Sequence, residues 1–289
     1  MRKDAFMGSW RTLLRVVLCG SLLLALPAAC GRSGGTAVRL SGSSTMAPVI
    51  AELALAWRTR PDLPPLSVEA GGSGKGLVDL AGGHVEIAMV SRRLNAQERI
   101  GRIVLPLAQD RLVVIVHADN PVSRLDADSL RAIYSGRIRR WDRLVPGFAR
   151  PVIVIEKAAG RGTHVAFHRA LGLGEKAVRA DAIVGANAEV IDAVSRSPGA
   201  IGYVSRSMLT GRGGPPAGVR AVPLPDPLAR RLSRPLLLVA RRPLAPAVHR
   251  VLTAFCGAQA AAHLARWGFR PDPHCRDRLP MPPAPERKP

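Results

Sequence analysis

Residues 66–91 read LSVEAGGSGKGLVDLAGGHVEIAMVS. LSVEAG alternates like a strand and runs into the glycine/serine turn GGSGKG at Gly71–Gly76; GKGLVDLAGG has helical spacing, and EIAMVS is a second apolar strand. Strand, small-residue turn, helix and strand in so short a stretch is the α/β signature.

The same unit recurs on both sides. Upstream, AVRLSG reads as a strand, and TMAPVIAELALAWRTR as a helix, with Ala47, Ile50, Leu53, Ala54 and Trp57 at helical spacing. Downstream, RLVVIVHA reads as a buried strand, DADSLRAIYSG as a helix with an acidic start, PVIVIEK as a strand and GTHVAFHRALG as a helix. AEVIDAVSRS reads as a helix, AIGYVS and PLLLVARR as strands, and APAVHRVLTAFCGAQAAAHLARWG as one long closing helix. Residues 276–289 are expected to be a disordered tail, being proline-rich without an apolar period.

The chain has 289 residues, 47% of them hydrophobic and 4% aromatic, which excludes collagen, coiled coil and wholesale disorder. The 42 Lys and Arg against 21 Asp and Glu give +21, which reads either as attraction for an anion or as a compositional preference for arginine. Nucleic acid is not expected as the partner, because the few aromatic residues do not interleave with the basic ones as stacking platforms would. At the N-terminus, Arg2, Lys3, Arg11 and Arg15 precede the apolar run VVLCGSLLLALPAA, too short to span a bilayer, so residues 1–29 read as a signal peptide. Its removal takes away four basic residues and one acidic, leaving +18. Ala28-Ala29-Cys30 resembles the lipobox of bacterial lipoproteins, which makes Cys30 the expected lipidation site and residues 30–36 a lipidated linker; plain cleavage is the alternative. The implied location is the periplasm or cell surface, held to the membrane by that lipid. Cys256 and Cys275 then remain in an oxidising compartment, where a disulfide between them is expected.

Three turns share one design: SGSST at Ser41–Thr45, GGSGKG at Gly71–Gly76 and GRGTH at Gly160–His164. Each follows a strand and opens a helix, where free N–H groups and the positive end of the helix dipole favour an anion. One such turn reads equally well as an ordinary helix cap; three in one chain point to an oxyanion site. None completes a nucleotide-binding or nucleophile-elbow motif.

In order along the chain, LSGSSTMAP, EAGGSGKGLVDLAGGHVEIAMVSRRL, DRLVVIVHADNPV, LRAIYSGRIRRWDRL, GRGTHVAFHRAL, SPGAIGYVS and LSRPLLLVARRPL resemble the substrate-binding proteins of phosphate ABC transporters, a periplasmic binding protein family. The resemblance implies a two-lobed, type II clamp whose crossing strands, RLVVIVHADN and SRPLLLVA, form a hinge. Residues 37–116 and 236–275 would make lobe 1, and residues 117–235 lobe 2. It implies capture of inorganic phosphate by a monomer, delivery to the transmembrane subunits of an ABC permease, no cofactor and no enzymatic activity. The implied phosphate contacts are Ser43, Ser44, Thr45, Gly72, Ser73, Gly74, Ser91, Arg92, Lys157, Arg161, Gly162 and Thr163. Two positions depart from the family pattern. Lys157 stands where an arginine is usual, without the bidentate fork, and Arg161 replaces the serine of the third turn. Ser91-Arg92 stands where some members have the acidic residue that accepts the phosphate proton, so sulfate rejection by that route is not expected.

Two other functions fit parts of the pattern. A hydrolase with Ser43 or Thr45 as nucleophile lacks a base, since neither His84 nor His164 has an orienting acid in a known motif. A sensing or scaffold protein that binds another oxyanion, or none, is the alternative left open by Arg161. His164 and His168 are four apart, a metal-like spacing, but the sequence shows no third ligand, so they read as core or surface histidines and no metal is expected.

Overall fold

The computed structural model describes residues 36–174, 176–210 and 214–281. The signal segment, Cys30 and the last eight residues of the expected tail lie outside them. Residues 276–281 depart from the expected disorder. Residues 276–278 form a 3₁₀ turn, Leu279 packs against the core, and the Pro280 carbonyl lies 2.9 Å from His249 Nε2.

In chain order the elements are β1 (Val38–Gly42), α1 (Ala47–Ala56), β2 (Leu66–Ala70), α2 (Ser73–Ala81), β3 (Ile87–Val90), β4 (Arg102–His117), α3 (Ala127–Tyr134), β5 (Ile153–Lys157) and α4 (Gly162–Leu171). There follow β6 (Ala182–Val184), α5 (Asn187–Ser195), β7 (Ala200–Ser205), α6 (Ser207–Thr210), β8 (Val219–Ala221), α7 (Asp226–Arg231), β9 (Ser233–Arg241), α8 (Pro246–Phe255), α9 (Ala258–Arg266) and β10 (Arg270–Pro271). The strands join in the order β2-β1-β3-β9-β4-β7-β5-β6, with β8 and β10 also paired to β4. Among the described residues no helix is long and apolar enough to cross a membrane.

β4 organises the molecule. Arg102–Arg111 pair antiparallel with β9, with a register shift at Pro106, where the missing N–H interrupts the ladder. Leu112–Val116 pair with β7 instead. The sequence reading caught only the second half of this strand, because Leu-Pro-Leu-Ala-Gln-Asp breaks the β-branched run. Leu105 and Leu107 enter one apolar core with Leu40, Ile50, Leu53, Leu238, Val251 and Phe255. Leu112 and Val114 enter a second core with Ile133, Tyr134, Trp141, Phe167 and Tyr203. Smaller clusters cover the opposite sheet faces, around Leu80 and Val239 and around Ile115 and Val194.

The single closing helix expected from residues 245–268 is two helices. Gly257 is extended and starts α9, and Cys256, at the break, is bonded to Cys275. Glycine has the lowest barrier to leaving the helix at that point.

Candidate functional site

β1 ends at a glycine with positive φ, Gly42 at +135°, and the turns after β2 and β5 carry two more, Gly72 at +99° and Gly160 at +78°. Gly42 has no alternative, since a Cβ there would lie 2.3 Å from the Met89 carbonyl. These turns direct Ser43, Thr45, Ser73 and Thr163 inward, and all four are buried. Ser91, just after β3, joins them: its amide donates to Ser73 Oγ at 3.0 Å, and the two hydroxyls stand 3.4 Å apart. Gly162 fits between them, because a Cβ there would come 2.5 Å from both serine hydroxyls.

At the centre is Arg234, only 2% exposed. Its Nε and Nη2 donate to Asp110 Oδ2 at 3.0 and 2.8 Å. The remaining donors reach Thr163 Oγ1 at 2.9 Å, the Ser91 carbonyl at 3.1 Å and Thr45 Oγ1 at 3.1 Å. Asp110 is fixed on its other oxygen by Ser205, at 2.8 Å. Burial pulls the Arg234 guanidinium below its ordinary range, and the Asp110 charge opposes that pull. Asn187, the first residue of α5, donates to Thr45 Oγ1 at 3.2 Å and accepts from Lys157 Nζ at 3.2 Å. Lys157, equally buried, is lowered to about 7, first by desolvation and then by the positive charges of Arg234 and Arg161.

The direction of these bonds decides the chemistry. Thr45 accepts from Arg234 and Asn187, Thr163 accepts from Arg234, and Ser73 accepts from the Ser91 amide. A hydroxyl whose oxygen is already accepting still has its hydrogen to donate. The cluster therefore presents polarised O–H groups, a lysine amine and helix N-termini, which suits a compact oxyanion and repels a cation.

Most of the expected contact residues meet here. Arg92 is held by a partner of its own: its guanidinium is bidentate with Glu98, at 2.7 Å on both arms, which also holds the Glu98 carboxyl below its ordinary range. The Gly74 amide is engaged as well, donating to the Gly160 carbonyl at 3.0 Å, so two of the turns touch directly through backbone. Arg161 lies at the rim. Its side chain runs past Gly72 to Gly185, and a Cβ on either glycine would come within 3 Å of it. Ser44 is only partly buried. Arg234, Asp110 and Asn187 were missed in the sequence. One signal was available for two of them: Asp110 and Arg234 are opposite charges, each heading an apolar crossing strand.

A family described as a PBP superfamily domain matches residues 29–215, more than half of the chain. The phosphate-binding protein PstS of Bacillus subtilis is 26% identical over 220 residues, which cover 68% of this chain and 71% of that protein. A solved structure from Clostridium perfringens, described as a candidate phosphate ABC transporter substrate-binding protein with bound phosphate, superposes with a TM-score of 0.74 at 25% identity. The match covers 82% of this chain and 99% of that one. An ABC-type phosphate transport receptor from Vibrio cholerae gives a TM-score of 0.66 at 25% identity, covering 82% and 100% of the two chains. These relatives are binding proteins rather than enzymes. The chain belongs to the PBP superfamily, with the mixed α/β fold of PstS-type periplasmic binding proteins.

Proposed function

We propose that this chain is an extracytoplasmic receptor that captures inorganic phosphate and passes it to the membrane subunits of an ABC importer. The observation that carries the reading is the set of buried hydroxyls on Thr45, Thr163 and Ser73, each already accepting a hydrogen bond and each still carrying an O–H that an anion can accept from. Phosphate offers four acceptor oxygens to those donors, with Lys157 supplying charge and Arg234, neutralised by Asp110, polarising Thr45 and Thr163. The two cores move as lobes, residues 37–116 with 236–275 against 117–235, about β4 and the start of β9. Export by the N-terminal signal, a lipid on Cys30 and action as a monomer complete the proposal.

Calorimetric titration of anion-stripped protein with phosphate, arsenate and sulfate tests it. Saturable phosphate binding, with arsenate close behind, is the expected result. Absence of heat with all three anions would overturn the reading in favour of a sensing or scaffold protein. Among the described residues the carboxylate beside Ser91, Asp110, is paired with Arg234, so any preference for phosphate over sulfate would have to come from the hydroxyl geometry and Lys157.

A further inference from the structure

Behind the anion site, Glu156 on β5 faces His164 and His168 on α4. All three are at least nine-tenths buried, and one ligand atom from each lies within 4.8 Å of the other two. Histidines one turn apart project from the same helix face, and Glu156 comes from the neighbouring strand, which is why the sequence showed no third ligand. We propose that Glu156, His164 and His168 form a binding site for one divalent cation of the zinc class.

The carboxylate is already oriented for this. Glu156 Oε1 accepts from the Lys157 amide at 2.8 Å and from the Tyr203 hydroxyl, which fixes the carboxylate plane. Oε2 is left 3.5 Å from His168 Nε2, with no hydrogen bond. His168 makes no hydrogen bond through either ring nitrogen. Buried polar atoms without partners are costly to the fold, and a cation would satisfy the carboxylate oxygen and an imidazole nitrogen together. Tyr203 and the Lys157 amide then act as the outer shell that orients a ligating carboxylate.

The donor set selects the ion. Two imidazoles and one carboxylate suit Zn²⁺, Co²⁺ or Ni²⁺ and not the all-oxygen preference of Mg²⁺ or Ca²⁺. Adjacent ligand atoms around tetrahedral zinc are roughly 3.3 Å apart; the His164 and His168 rings now lie almost face to face, 3.9 Å between centroids at 32°, so binding would turn at least one imidazole to bring its nitrogen onto the ion. Phe167, stacked on Tyr203 at 3.7 Å and near Tyr134 at 4.9 Å, walls off the surroundings with aromatic surface. The ion, with three protein ligands, would keep a fourth position for water. It would tie α4, whose first turn carries Gly162 and Thr163, to the strand that carries Lys157.

The test uses the mature protein, stripped with chelator and held in phosphate-free buffer. Titration with Co²⁺ should give the visible bands of a four- or five-coordinate ion, saturating at one per chain and abolished by an equivalent of Zn²⁺. Glu156→Gln and His168→Gln should each weaken binding at least tenfold. Failure of the native chain to take up Co²⁺ or Zn²⁺ at micromolar concentration would overturn the proposal and leave Glu156 and His168 as a buried proton-sharing pair. Unchanged binding in both variants would overturn it by placing the ion elsewhere. If the variants do not fold, X-ray absorption at the cobalt edge of the native protein decides: two imidazoles in the first shell support the site, and fewer overturn it.

Discussion

Lys157 and Arg234 are both buried cations, yet they respond to the fold in opposite ways. Arg234 has Asp110 as a full partner, whereas Lys157 has only the amide oxygen of Asn187 and sits at about 7. Replacing Lys157 by Met therefore removes a group that burial disfavours, and Lys157→Met should leave the melting temperature of the anion-free protein unchanged or raised. The same variant should weaken phosphate by about 10- to 100-fold, the worth of one charged hydrogen bond; calorimetry and thermal melts together separate the two effects. Arg234→Lys keeps a charge for Asp110 but loses the planar fork that reaches Thr45, Thr163 and Ser91 at once. It should fold, and bind phosphate roughly tenfold more weakly, as read by the same titration. At this scale the sequence was legible where function is carried by turn residues. It was opaque where a role arises from pairing across the fold, as with Asp110 and Arg234, 124 residues apart.

Among the elements, the first turn of α4 is closely fitted to its neighbours. Gly162→Ala would put a methyl group 2.5 Å from the hydroxyls of Ser73 and Ser91, which belong to the other core's side of the site. Overpacking of this kind costs about 1–3 kcal/mol. If the proposed lobes separate without anion, this cost falls on the closed arrangement alone, so phosphate affinity should drop about 10- to 100-fold while the anion-free melting temperature barely moves. A matched loss in melting temperature would argue against that reading. The helices were readable from periodicity because each buries one face, and β3 and β7, buried at every position, from unbroken apolar runs. β6 and β8, three residues each, are too short to show a period. The division between α8 and α9 turned on a single glycine, which a pattern of alanines on either side conceals.

For the whole molecule, two electrostatic effects are measurable. The first is a pH dependence set by Lys157. Its folded value of about 7 lies below its ordinary 10.5. Between those two pH values the unfolded chain holds a proton that the folded chain lacks, so stability should rise with pH across that window and level off below about 7. Phosphate binding has the opposite sign. The anion favours charged Lys157, so above pH 8, where phosphate is already a dianion, binding should take up close to one proton and weaken by up to about tenfold per pH unit. Titration in buffers of different ionisation enthalpy counts that proton, and the slope should vanish in Lys157→Met. The second effect comes from the +21 charge, which predicts that stopped-flow association with phosphate slows as salt rises while dissociation changes little.

The direct contact between the turns, from the Gly74 amide to the Gly160 carbonyl, has a consequence for how such a protein diversifies. It is made entirely of main chain, so it does not depend on which side chains surround it. A lineage could exchange hydroxyls and cations one at a time, drifting from one oxyanion to another, and retain this contact between the halves throughout. Recognition and closure would then be separable traits under selection, with the backbone contact as the part that need not be reinvented.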